Sequence, residues 1–138
     1  MTNSISSINW LSVLAAFVPY FMLGALWFTV FFKNQYLLSL GRENDAPQKP
    51  APIFIIGPAI CTLMITLASA ILIHALGIHS IGGALKFSLL VGGGYLFANT
   101  VNIAINPNIP RPILYGIISG TYHLVGISIA CIILVAMK

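Results

Sequence analysis

Histidine is the side chain whose ordinary pKa lies closest to neutral pH, and His123 lies inside a long apolar stretch directly after Tyr122. Arg111 precedes His123 by twelve residues, or about 18 Å along a helix,. If the stretch crosses a membrane, that distance places His123 near the bilayer centre, where a titratable residue predicts a polar cavity. The alternative is a packing histidine that bonds to a backbone carbonyl exposed by nearby glycines.

Two amides, Asn99 and Asn102, are three residues apart and therefore share one face of a helix,. An asparagine in apolar surroundings must find hydrogen-bond partners. The first interpretation is that both amides bond to neighbouring helices. The second is that they line a cavity whose mouth is guarded by Arg111, which would favour a polar or anionic ligand.

Glycines accompany His123 on both sides of a predicted helical hairpin. Counting outward from the turn at residues 108–109 puts His123 level with Gly94. Small residues allow helix backbones to approach closely. We therefore assign a helix-packing role to five glycines: Gly92, Gly93, Gly94, Gly116 and Gly120.

The sequence contains only two carboxylates, Glu43 and Asp45, and both fall in one polar segment. Paired carboxylates, a serine-histidine-aspartate order, a phosphate-binding loop and a dinucleotide fingerprint are all absent from the sequence,. Cys61 and Cys131 lie in separate apolar runs without metal-ligand spacing,. The sequence thus predicts no enzyme activity, no bound cofactor and no metal.

Hydropathy defines the elements that carry these residues. The chain of 138 residues is 59% hydrophobic and only 6% charged, against about 25% charged residues in soluble domains. A helix needs about 20 apolar residues to cross a bilayer. The sequence therefore predicts an all-α polytopic membrane protein, one domain over residues 1–138, with four transmembrane helices in a compact bundle. The predicted spans are 9–32, 53–76, 81–105 and 112–137.

Local sequence predicts where these helices begin and end. Ser6, Ser7 and Asn9 are suited to cap the first helix,. Gly77 favours the end of the second helix, and Pro19 predicts a kink in the first,.

Basic residues predict the orientation of the spans. Lys33, Arg42, Lys49 and Arg111 fall on one side of four spans, and Lys86 and Lys138 on the other. The excess of positive charge predicts that the 33–52 loop is cytoplasmic and that both termini face outward. The net charge is +4, but the basic residues are scattered, so no nucleic-acid partner is expected.

Short motifs along nearly the whole chain resemble a family of small bacterial membrane proteins, domain of unknown function 1761 (DUF1761). The motifs are Asn9-Trp10-Leu11, Gly24-Ala-Leu-Trp27-Phe28, Asn99, Arg111-Pro112 and Tyr122-His123-Leu124-Val125. The resemblance implies four transmembrane helices and an inner-membrane location, and it supplies no biochemical activity. This chain departs from the family pattern in its proline-rich loop after the first helix.

Two functions are expected from the sequence. The first is a polar intramembrane pocket that binds or conducts a small polar or anionic molecule or ion, formed by His123, Tyr122, Asn99, Asn102 and Arg111, with Trp27 beside it. The alternative is a non-catalytic structural or accessory subunit of a homo-oligomer or a larger membrane complex. A membrane enzyme, or a haem protein with His74 and His123 as ligands, is a third hypothesis, although the two histidines would lie at different depths.

Overall fold

The computed structural model describes residues 8–46 and 49–138, and these residues form helices and no strand. Four helices are long and apolar enough to span a membrane, and each ends within one residue of its predicted bounds. This confirms the all-α, four-span prediction. A fifth, short helix lies inside the predicted 33–52 loop. The helices are α1 (Trp10–Phe31), α2 (Lys33–Ser39), α3 (Ile53–Ala75), α4 (Ile81–Ala104) and α5 (Pro112–Ala136).

The ends of these helices follow from local sequence. The Asn9 side chain accepts hydrogen bonds from two backbone N–H groups of the first turn of α1, as predicted for an N-cap. The other predicted caps, Ser6 and Ser7, lie outside the described residues. Gly77 has a φ of +63° and ends α3 as predicted, because glycine adopts the left-handed conformation without a steric penalty,. Gly41, with a φ of +66°, ends α2 in the same way.

Two spans contain a widened turn that the sequence did not predict. Trp27–Phe31 closes α1 as a π-helical segment, and Gly92–Phe97 forms a second one in the middle of α4. In the first, the backbone N–H of Phe32 donates to the carbonyl of Trp27, five residues earlier,. The α1 helix continues past Pro19, and its irregular turn begins only at Trp27.

The last helix, α5, occupies the centre of the fold. It packs against α1, α3 and α4, whereas α4 packs mainly on α5. Accordingly, 50% of the α5 span is buried, against 17–22% of the other three. The arrangement is one central helix surrounded by three others, and it leaves the outer face of α4 uncovered by the described chain.

The beginning of α3 stands clear of the other helices. Four consecutive residues, Ile53 to Ile56, are all more than half exposed. Consecutive residues point in different directions around a helix, so one lipid-facing side cannot account for all four. The first turn of α3 is therefore exposed around most of its circumference.

Candidate functional site

The buried contact between α1 and α5 contains His123. The Tyr20 hydroxyl lies 3.0 Å from His123 Nδ1, and Tyr20 is completely buried. Its ring fits against α5 only because residue 126 is glycine, since a Cβ there would overlap the ring. Sequence reasoning missed Tyr20. The available signal was its position in the middle of a span, away from the membrane interfaces where aromatic belts form.

Trp27 and Tyr122 extend this contact along the same two helices. Trp27 Nε1 donates to the Ile118 carbonyl at 3.0 Å, and the Trp27 and Tyr122 rings are 6.5 Å apart. Gly24 gives the phenol room, because a Cβ at that position would lie 2.8 Å from the Tyr122 hydroxyl oxygen. The structure thus brings together three of the predicted residues. We call the group the aromatic cluster: Tyr20, Trp27, Phe28, Tyr122 and His123.

Two features bear on what the aromatic cluster can do chemically: the hydrogen bond of His123 and the nearby hydroxyl of Ser119. His123 Nδ1 and the Tyr20 hydroxyl share one hydrogen bond, and the tautomer of the ring decides which group donates,. The Ser119 hydroxyl, four residues before His123, is buried without a hydrogen-bond partner among the described residues. A buried hydroxyl in that state can accept a water molecule or a small polar group.

Two pockets of the described chain lie away from the aromatic cluster. One, of about 210 Å³, is lined by Asn9, Ser12, His74 and Lys138 among others. The other, of about 260 Å³, is almost wholly apolar. Within residues 8–46 and 49–138, no three histidine, cysteine or acidic side chains are placed to hold a metal ion.

Asn99 and Asn102 do not join His123. Both are exposed on the outer face of α4, and Tyr95, one turn earlier, is 71% exposed. The hydrogen bonds of the described chain include none from these three side chains. Asn106, the next polar residue along this face, instead accepts from the backbone N–H of Asn108 in the turn. We call Tyr95, Asn99 and Asn102 the outer stripe.

The five glycines divide between two roles. A Cβ at Gly92, Gly116 or Gly120 would meet side chains of the partner helix at 3.1 Å or less, so these three lie where α4 and α5 approach closely. A Cβ at Gly93 or Gly94 would meet nothing within 4 Å. Those two glycines take no part in packing α4 on α5, because the helix turns them away from its neighbour.

Arg111 lies at the end of α2 and not at the mouth of a described pocket. Its guanidinium donates to the Leu38 carbonyl at 3.0 Å, and its backbone N–H donates to the Ser39 carbonyl. Tyr36 of α2 packs on Tyr115 of α5, with ring centroids 5.7 Å apart. Burial raises the pKa of Tyr36 to about 12, so its hydroxyl stays neutral in ordinary buffers. Through these hydrogen bonds Arg111 holds the end of α2 against the start of α5.

These observations define the protein as a multi-pass α-helical membrane protein with a closed aromatic cluster and an uncovered polar stripe. The chain belongs to the family described as "Protein of unknown function (DUF1761)", which matches residues 11–135. No curated protein and no solved structure matches the chain significantly.

Proposed function

We propose that this protein is a non-catalytic subunit that assembles with another protein in the membrane through the outer stripe. The observation that carries the proposal is the exposed Asn99 amide, which makes no hydrogen bond with the described residues. Acyl chains offer no hydrogen-bond partners, so a polar group facing lipid is destabilising unless a second protein covers it.

The depth of Asn99 supports this interpretation. The 24 residues of α4 extend about 36 Å, which exceeds a hydrocarbon thickness of about 30 Å. Asn99 lies five residues before Ala104, so its Cα is about 7.5 Å from the helix end and within the hydrocarbon. Because helical side chains lean toward the helix N-terminus, the amide of Asn99 points further into the bilayer.

The start of α3 provides the contrast. It is also exposed, but its exposed side chains are isoleucine and phenylalanine, which acyl chains solvate without cost. Exposure of α3 therefore requires no partner protein, whereas exposure of the outer stripe does.

The two acidic residues lie in the loop outside the spans, where Asp45 pairs with Arg42 at 2.7 Å.

We further propose that the 33–52 loop faces the cytoplasm and that both termini face outward across the inner membrane. The support is the distribution of basic residues, four on the loop side and two on the other, because cytoplasmic segments of membrane proteins are enriched in lysine and arginine. In this orientation the outer stripe lies in the cytoplasmic half of the bilayer.

Native membranes test the assembly role. Replacing Asn99 by leucine adds an apolar side chain at an exposed position, so the fold of the chain is expected to persist. The complex in Asn99→Leu membranes, solubilised in mild detergent, should migrate at a lower mass on native gels. Ile103→Leu, which changes a neighbouring exposed residue without altering polarity, should migrate as the unchanged protein. An unchanged mass for Asn99→Leu would refute the proposal.

A second candidate is the ligand-binding function predicted from His123. The buried Ser119 hydroxyl, which lies four residues before His123 on α5 and has no partner among the described residues, supports it, because such a group is suited to hold a small polar molecule. Solvent extraction of the purified protein followed by mass spectrometry should recover a small molecule in stoichiometric amount. The yield should fall in Ser119→Ala and in His123→Leu while the native mass stays constant. Recovery of nothing from the unchanged protein would refute this candidate.

A further inference from the structure

We infer that the partner at the outer stripe is a second copy of this chain, related by a two-fold axis along the membrane normal. This inference rests on the proposed assembly function and adds the identity of the partner. In the resulting dimer, Asn99 of one protomer lies against the partner's Asn99, and the two α4 helices run parallel.

Membrane topology restricts how two copies can meet. Copies inserted by the same rule have the same orientation, so the two-fold axis must run perpendicular to the membrane plane. In a two-fold interface residue i contacts residue j and j contacts i, and residues close to the axis meet their own equivalents at the same depth. The groups closest to the axis must therefore be able to pair with themselves.

The outer stripe meets this requirement. A carboxamide carries two N–H donors and a carbonyl acceptor, and a phenol both donates and accepts. Asn99 and Tyr95 can thus each bond to an identical group. No residue of the stripe carries a charge, so like-charge repulsion does not oppose the pairing. A stripe directed at a different protein would need no such self-complementarity.

The backbone of α4 also permits close approach. Gly94 and Ala98 are exposed on either side of Tyr95 along the helix, and the space beyond Gly94 is empty to at least 4 Å from a Cβ position. Small residues beside polar ones are the combination that lets membrane helices pack closely and bond across the interface. The dimer thereby gives a packing role to the exposed glycine that does not pack on α5.

Disulfide cross-linking in native membranes tests the dimer. The background is Cys61→Ser, because Cys61 is exposed, while the buried Cys131 is retained. The reporter is Asn102→Cys, which leaves Asn99 in place. The matched control is Leu26→Cys on α1, which is 44% exposed. Mild oxidation should convert the reporter into a reducible species of twice the monomer mass and leave the control monomeric.

The control lies at a depth comparable to that of the reporter. Trp27, next to the control position, bonds to the Ile118 carbonyl of α5. On α4, Val101, next to the reporter position, packs on Gly116 of α5. Both cysteines are therefore level with the same turn of the central helix, and a difference in cross-linking reports which face meets a partner.

Second-site variants identify the contact. Adding Asn99→Leu to the reporter should reduce the yield of the disulfide dimer about tenfold, because the amide pair is lost, whereas Asn99→Gln should retain most of it. Equal dimer yields with and without Asn99→Leu would overturn the inference. If the reporter cross-links to a different protein, the inference that the partner is a second copy is overturned, while the proposed assembly function stands. Two negative results together would refute both the dimer and the assembly function. In that case the reporter stays monomeric after oxidation, and Asn99→Leu leaves the native mass unchanged.

Discussion

At the scale of single residues, His123 combines a feature that sequence can predict with one that it cannot. A histidine in an apolar run is costly in lipid, so His123 could be selected from the sequence together with its neighbour Tyr122. Its pairing with Tyr20 could not be predicted, because a tyrosine in a span is equally consistent with simple packing and nothing local links residues 20 and 123. The link exists only because α1 crosses α5 at Gly126.

Gly126 is the residue on which the aromatic cluster depends most. Gly126→Ala should destabilise the protein by about 1–3 kcal/mol, the usual cost of overpacking, because the new methyl group would overlap the Tyr20 ring. Thermal unfolding in detergent micelles measures the effect. The control is Gly93→Ala, where a Cβ meets nothing and alanine favours the helix. Equal melting temperatures for the two variants would contradict the prediction.

At the scale of elements, hydropathy located all four spans, because the cost of exposing polar groups to lipid depends on composition alone. The hairpin register was also predictable from the turn. Ser88 and Ser128 are hydrogen-bonded at 3.1 Å, within one residue of the pairing expected if equivalent residues lie at equal distance from residues 108–109. The π-helical segments were not predictable, since a widened turn has no local sequence pattern. The outward orientation of Asn99 was not predictable from the sequence either. Which face of α4 points away from the other helices depends on which helix α4 contacts.

The short helix α2 should depend on Arg111. Arg111→Ala removes a charged donor from the Leu38 carbonyl, which contributes about 1–2 kcal/mol in such bonds. We expect faster hydrogen exchange of the α2 amides in this variant, measured by mass spectrometry. Arg42→Ala, which removes only the exposed ion pair with Asp45, should leave α2 exchange unchanged. Similar exchange in both variants would show that Arg111 does not fasten α2.

At the scale of the whole molecule, the number of membrane-spanning helices was predictable and their arrangement was not. In the expected compact bundle no helix is central, whereas in the structure α5 contacts all three of the other spans. The glycines of α5 gave a partial indication that this helix is central. Gly116, Gly120 and Gly126 each leave room for a different side chain from a facing helix. Which helix supplies each side chain depends on the three-dimensional arrangement.

The proposed orientation is tested with reporters fused after Lys138. Because the charge distribution favours a cytoplasmic 33–52 loop, alkaline phosphatase at the C-terminus should be active and green fluorescent protein at the same place should be dark. Fusions within the loop after residue 45 should give the opposite pair of results. A fluorescent C-terminal fusion would mean that the orientation is inverted.

The central position of α5 also has a consequence for how the chain is made. Synthesis proceeds from the N-terminus at about 5–20 residues per second, so roughly 80 residues, and several seconds, separate the end of α1 from the start of α5. During that interval the Trp27 indole has no Ile118 carbonyl to bond, and Tyr20 has no His123. The nascent spans thus remain in the membrane without their contacts to α5 until the final segment inserts. Truncation anywhere before residue 112 removes the common partner of every other span.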